Sequence, residues 1–332
     1  MSIIWSNNFG WFLCHSSYLS KIYDNLQDEE ICDCKKYKIF HINSQFVRHT
    51  KKMVISDNTS RNCMNLIGTE TDFRLIEVSF YENFLIFLFK LKNNKFPNII
   101  KYAASNIFKL TRNLKDLKFF IPPHCTFYCC DINEIDKKIV NLRENLFDLI
   151  LMDPPWWNKH IRRKNLNNID EGYNLIYKED LIKIPINRIL SSDGIVVVWC
   201  TNSQQQINFL IEKIFPSWKI KYVTTWYWIK VTTNFQPICN FSIDVNKKQP
   251  FERIIFGTRR ASSKKCKMLP KSKLIVSVPS SIHSHKPPLT DILEKYIPSD
   301  SQCLELFARY LVPNWISCGN EVLKLQHKSL FQ

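Results

Sequence analysis

The second half of this sequence predicts an α/β fold, a central sheet with helices on both faces, and three observations carry that prediction. Short β-branched and aromatic runs recur from residue 126 onward, helix-patterned stretches separate them, and acids stand at or near the ends of several runs. The runs are TFYCCD (126–131), FDLILM (147–152), GIVVVWCT (194–201), ERIIFGT (252–258), KLIVSV (273–278) and QCLELF (302–307), and several are almost continuously apolar. A strand with one wet face alternates polar and apolar residues, so continuous runs indicate strands covered on both faces. EDLIKIPINRIL (179–190), SQQQINFLIEKIF (203–215) and PLTDILEKY (288–296) are the helices expected to cover them.

Residues 1–120 have a different texture and are expected to be mainly helical. DFRLIEVSFYENFLIFLFKL (72–91) and NIIKYAASNIFKLTRNL (98–114) have helix-compatible apolar spacing. In KFFIPPHC, Pro122 and Pro123 break any helix, which places a boundary between residues 1–120 and 121–332.

Composition narrows the function classes. The chain holds 332 residues, 45% of them hydrophobic, enough for a large core. Its 46 Lys and Arg against 30 Asp and Glu leave a formal charge of +16, which favours an anionic partner such as nucleic acid. Twelve cysteines form no CxxC pair, and Cys32, Cys34 and His41 are too tightly spaced for a zinc ribbon, so no metal is expected. The run Phe84 to Phe89 stops at Lys90, too short to span a membrane. The first residues lack a basic segment of the secretory kind, so a reducing compartment is expected.

In open α/β sheets ligands bind beyond the carboxyl ends of the strands, where Asp131, Asp153 and Glu305 fall. Asp153 opens the sequence Asp-Pro-Pro-Trp at the end of FDLILM. Pro154 and Pro155 have fixed φ and no N–H, so nearby carbonyls are stiffly held. An ionised Asp153 and the Pro154 carbonyl would present two fixed acceptors, the complement of an amino group with two hydrogens. Trp156 would offer a face for a planar base, worth roughly 1–3 kcal/mol per stacked ring. An exocyclic amine on an aromatic ring is a weak nucleophile, and acceptors for both its hydrogens favour the pyramidal form that develops as it attacks. Asp153 as a turn cap and Trp156 as core filling are the bland alternative.

FDLILMDPPWWNK (147–159), VSVPSSIHSHKPPLTDILEKYI (276–297) and CLELFARYLVPNWISCGNEVLK (303–324) together resemble the adenine-N6 methyltransferases of the messenger-RNA adenosine methyltransferase 70 kDa subunit family, in the methyltransferase-like protein 4 branch. GWFLCHSSYLSKI (10–22) resembles the same branch. The resemblance implies a Rossmann-like, S-adenosylmethionine-dependent methyltransferase fold with permuted motif order in residues 121–332. Residues 1–120 are expected, apart from the resemblance, to be a mainly helical region that assists nucleic-acid binding. The resemblance implies that Asp153, Pro154, Pro155 and Trp156 form the catalytic motif. Asp131 and Ile132 would meet the donor's adenine, Lys286 its carboxylate, Glu305 and Arg309 its ribose, and Asn320 and Glu321 again the adenine end. Asp153 would also touch the donor's amino group. Two positions depart from the family: Tyr310 stands where a small polar residue, usually Asn, is expected, and Asn314 where this branch often has Gly.

On the substrate side, Trp157 comes directly after Trp156, and Lys159, Arg162, Arg163 and Lys164 come next, within reach of a phosphate backbone. GTRRASSKKCKMLPKSK (257–273) has seven Lys and Arg and no acid, a second candidate for phosphate contacts or simply a solvated loop. TTWYWIK (224–230) resembles a family strand whose Lys230 lines the pocket edge. By resemblance the partner is RNA, with 2′-O-methyladenosine in U2 small nuclear RNA as the leading substrate and nuclear localisation, the cytoplasm also being open. DNA adenine methylation is the alternative, and a catalytically silent RNA-binding subunit is a third reading. No obligate protein partner is expected.

Overall fold

The structure is a computed structural model, and it describes residues 2–23, 42, 111–114, 117–135, 146–156, 178–242, 247–259, 269–282 and 285–326. Its strands are β1 (Ile3–Asn7), β2 (Gly10–Leu13), β3 (Thr111–Leu114), β4 (Leu117–Phe120), β5 (Thr126–Tyr128), β6 (Phe147–Met152), β7 (Leu190–Cys200), β8 (Lys221–Lys230), β9 (Phe251–Thr258), β10 (Leu274–Ser277), β11 (Cys303–Leu306) and β12 (Ile316–Cys318). Ten of them form one sheet in the order β1-β2-β10-β8-β9-β7-β6-β11-β12-β5, while β3 and β4 pair as a separate hairpin.

From β7 across β6, β11 and β12 to β5 every pairing is parallel. β9 runs antiparallel to both β7 and β8, and β8, β10 and β2 are again parallel to one another. One edge of the sheet therefore collects the carboxyl ends of β2, β5, β6, β7, β8, β10, β11 and β12 together with the start of β9. The expected α/β sheet is present, and the permuted order shows in the chain. β6, which carries Asp153 at its end, comes early in the sequence yet pairs beside the late strand β11.

The continuous apolar runs are explained by burial on both faces. Ile150, Met152, Val196 and Val198 belong to one core with Leu181, Ile186, Leu210 and Ile214 from the helical segments. Leu149, Leu151, Ile195 and Val197 point into a second core with Leu289, Ile292 and Trp315. The expected helix over 179–190 divides into Lys178–Lys183 and Ile186–Ile189 around Pro185, which lacks the N–H to continue it. The expected helix over 203–215 is present, with a π-helical turn at Leu210–Ile214.

Of residues 1–120, expected to be mainly helical, the described part holds both strands and a helix. β1 and β2 form a hairpin at the sheet edge before helix α1 (His15–Tyr23). The Asn7 side chain accepts from the Phe9 and Gly10 N–H groups and closes the turn. β2 then pairs in parallel with β10. A Cβ on Gly10 would lie 1.8 Å from the Leu274 carbonyl oxygen, so this approach requires glycine. The last four residues of the expected helix 98–114 form β3 instead, because they pair with β4. The expected helix 72–91 and the group Cys32, Cys34 and His41 lie outside the described residues.

Candidate active site

Asp153 is the first residue past β6, and the two prolines after it shape a tight turn. Across Pro155 the Trp156 N–H donates to the Pro154 carbonyl at 2.7 Å, a three-residue turn that leaves that oxygen a second lone pair. The Trp156 indole N–H donates to the Trp199 carbonyl at 2.7 Å, and Trp156 is buried in the core beneath the turn. Trp156 thus anchors the motif to β7. Its ring is largely packed against the core.

Alternating charges extend from Asp153 along the sheet edge. Arg309 Nη1 stands 3.5 Å from Asp153 Oδ2, and Lys286 Nζ stands 3.7 Å from Oδ1. Lys286 also bonds Glu252, whose other oxygen bonds Lys230. On the far side Arg309 Nε reaches Glu321 Oε2 at 3.3 Å, and Lys324 closes the row at 2.7 Å from Glu321 Oε1. Burial lifts the Asp153 carboxyl above its ordinary range, against the pull of Lys286 and Arg309. Burial also opposes ionisation of Glu252, but Lys230 and Lys286 together outweigh it and hold Glu252 ionised. Lys286 sits 5.3 Å from the Trp199 ring centroid and Lys230 4.5 Å from that of Trp228, so both ammonium groups lie over indole faces.

Beyond Asp153 lie the ends of β11, β12 and β5. Glu305 is buried, and its Oε2 has no hydrogen-bond partner among the described residues. Burial first and the Asp153 charge second push its carboxyl up to about 8. Two residues on, Phe307 holds a left-handed φ of 59°, a sterically costly conformation for a bulky residue at the site. Gly319 lets the β12 turn close on this one: a Cβ there would meet the Ala308 nitrogen and oxygen at 3.0 Å. Asn314 has φ 63°, which explains why Asn stands where the branch often has Gly. Asp131 accepts from the Asn133 N–H at 2.8 Å and caps the turn Ile132–Glu134, with Ile132 buried and Asn320 exposed just past β12. Cys129 Sγ lies 3.5 Å from the Asn320 carbonyl oxygen, which brings the ends of β5 and β12 together.

A model of the MT-A70 family matches residues 147–321. This chain belongs to the MT-A70 family. Its sheet is accordingly the Rossmann-like sheet of S-adenosylmethionine-dependent methyltransferases. The chain is similar to the N(6)-adenine-specific methyltransferase METTL4 of Mus musculus, 38% identical over 222 residues that cover 64% of this chain and 45% of the relative. It is also 36% identical over 222 residues to a DNA N6-methyl methyltransferase of Caenorhabditis elegans, covering 67% of this chain and 58% of that one. With the N6-methyladenosine RNA methyltransferase MTA1 of Cryphonectria parasitica it shares 39% identity over 188 residues, 54% of this chain and 53% of the relative. The matched region spans about half the length of these curated relatives.

Within this MT-A70 domain the structure brings Asp153, Lys286, Arg309, Glu305, Glu321 and Lys230 to one edge. Trp157, Lys159, Arg162, Arg163 and Lys164 lie outside the described residues. In the second basic run Arg259 donates to the Asn187 carbonyl, so its guanidinium already has a structural task. Sequence reasoning missed Glu252. The rule of carboxyl strand ends passes it over, because β9 is antiparallel and brings its beginning to the same edge. The donor set suits an amino-acid-bearing nucleoside: the lone Glu305 oxygen calls for a hydroxyl donor, and Lys286 for a carboxylate.

Proposed function

We propose that this chain transfers a methyl group from S-adenosylmethionine to the exocyclic N6 amine of adenine in a nucleic acid. The observation that carries the reading is the Asp153 turn, a carboxylate and a rigid carbonyl set between Lys286 and Arg309 at the sheet edge. The donor supplies an electrophilic methyl group whose bond to sulfur breaks as the bond to nitrogen forms, releasing S-adenosylhomocysteine, and the methylated amine then sheds one proton to solvent, so the protein needs no strong base. Asp153 and the Pro154 carbonyl accept the two amine hydrogens and favour the geometry in which the nitrogen lone pair is free to attack. Lys286 holds the donor's carboxylate, Glu305 and Arg309 its ribose, and Asp131, Ile132, Asn320 and Glu321 surround its adenine. The relatives' names support the amine as the target, since all three specify N6.

The finer reading is adenosine in RNA, with 2′-O-methyladenosine in U2 small nuclear RNA first. A base must leave its stack to reach the turn, which costs least in single strands and loops. DNA is the competing substrate, supported by the nematode relative's name. Labelled donor incubated with total RNA and with genomic DNA, followed by nucleoside analysis, decides between them. Methyl label in neither, together with no binding of S-adenosylhomocysteine, would return the chain to the class of silent RNA-binding subunits.

A further inference from the structure

Lys286 lies in a stretch without regular secondary structure between β10 and the helix Thr290–Leu293. Among the described residues no strand ladder fixes its backbone, and the His285 N–H reaches the Ile282 carbonyl at 3.4 Å. Beside its ion pairs with Glu252 and Asp153, the packing of its neighbours therefore helps set where the ammonium stands. His285, next to it in chain, lies with its ring 5.6 Å from that of Tyr310, the neighbour of Arg309. On its other side the His285 ring meets His15 edge-on at 5.5 Å. A row of three rings, His15, His285 and Tyr310, thus stands behind the two cations that flank Asp153.

His15 is the second residue after β2, at the sheet edge that carries the site, and it is 3% exposed. α1 then runs over the same region. A cavity lies between His15, Tyr18 and Leu19 on one side and His285, Lys286 and Tyr310 on the other. The helix is held at both ends. The Ser2 hydroxyl donates to Asp291 at 3.0 Å and the Cys14 N–H to the Ser2 carbonyl at 2.8 Å. At the far end the Gln326 side chain donates to the Tyr23 hydroxyl at 2.8 Å and accepts from the Leu311 N–H at 3.1 Å.

We propose that the N-terminal helix is a wall of the donor site, and that His15 is a positioning residue that acts through His285 on Lys286. The inference rests on Lys286 being the residue that holds the donor's carboxylate. Tyr310 takes part in the same row, which accounts for a large ring where the family has a small polar residue. Burial, and for His15 also the neighbouring His285, lowers both imidazoles below their ordinary value. Both rings are therefore neutral at physiological pH and act by packing rather than by charge.

The test is calorimetric binding of S-adenosylhomocysteine to the full chain and to His15→Ala, His15→Phe and Leu19→Ala. His15→Ala should weaken binding roughly tenfold, the order lost when the support behind a ligand-holding side chain is removed. Turnover at saturating donor and the KM for nucleic acid should stay within about twofold of wild type, since nothing at the Asp153 turn has moved. His15→Phe, which keeps a ring against His285, should restore affinity. Leu19→Ala, which lines the same cavity but lies outside the ring row, should lower thermal stability and weaken donor affinity by less than His15→Ala. If His15→Ala does not fold, His15→Gln, which keeps the volume and loses the ring, carries the same expectation. Wild-type affinity in the folded Ala or Gln variant would overturn the proposal while leaving the methyltransferase reading intact. No binding by the wild type would overturn both.

Discussion

Glu305 is the residue whose protonation has the clearest consequences. Its carboxyl titrates near 8 in the free protein against an ordinary 4.5, so the folded state holds a proton that the unfolded state releases. Its contribution to stability is fully present below pH 4.5 and is lost as pH rises toward 8. Glu305→Gln should remove that decline in thermal scans. Donor hydroxyls favour the ionised form, so affinity for S-adenosylhomocysteine should rise with pH up to about 8 and level off above it, with a proton released on binding. Calorimetry in buffers of different ionisation heat would show the release; a pH-independent affinity would remove Glu305 from the ribose site. Glu252 has the opposite character, ionised because two lysines face it. Glu252→Gln should cost about 3 kcal/mol in chemical denaturation, since it leaves two buried ammonium groups together. Adding Lys230→Met should recover part of that loss, and no recovery would mean the Lys230 pairing contributes nothing.

Elements explain why some of the site was legible and some was not. FDLILM could be placed as a strand because it is a mostly apolar run, broken only by Asp148, that matches β6 residue for residue. The acids after β6 and within β11 came from the rule for parallel strands, but the antiparallel β9 hid Glu252. The β1–β2 hairpin escaped because its pairing partner, β10, lies more than 260 residues away in sequence, and local pattern carries no trace of it. Trp156 was visible as an aromatic at the site, but only the indole bond to Trp199 shows that the ring holds the turn from beneath. Asn314 records a local backbone demand, a φ of 63° after Pro313. Asn314→Gly should be close to neutral, whereas Asn314→Ala should cost about 1 kcal/mol in thermal or chemical denaturation. Equal stabilities would contradict the left-handed turn.

At the scale of the whole molecule, the sheet gathers residues from nine strands onto one edge, and the chain's net charge of +16 favours association with phosphates. Two basic segments were expected to contribute, and of their arginines Arg259 lies among the described residues. Replacing Arg162 and Arg163 with Ala should lower the log–log salt slope of single-strand binding by about 0.7 for each phosphate that is no longer neutralised, with turnover at saturation unchanged. Arg259→Ala should leave the slope alone and lower stability instead, because its guanidinium bonds the Asn187 carbonyl. An unchanged slope in the Arg162/Arg163 double variant would mean that the net charge serves another end.

The proposed methyl transfer presupposes that Asp153 is the acceptor for the target amine, and one measurement addresses it directly. Labelled S-adenosylmethionine is supplied to wild type and to Asp153→Ala with single-stranded RNA and DNA, and the nucleosides are separated afterwards. The wild type should place label on the N6 position of adenine. The variant should place none, although it folds with an ordinary melting transition, and the wild-type rate should fall on acidification with a midpoint above the ordinary aspartate range. A folded Asp153→Ala variant that methylates adenine at near wild-type rate would contradict the account.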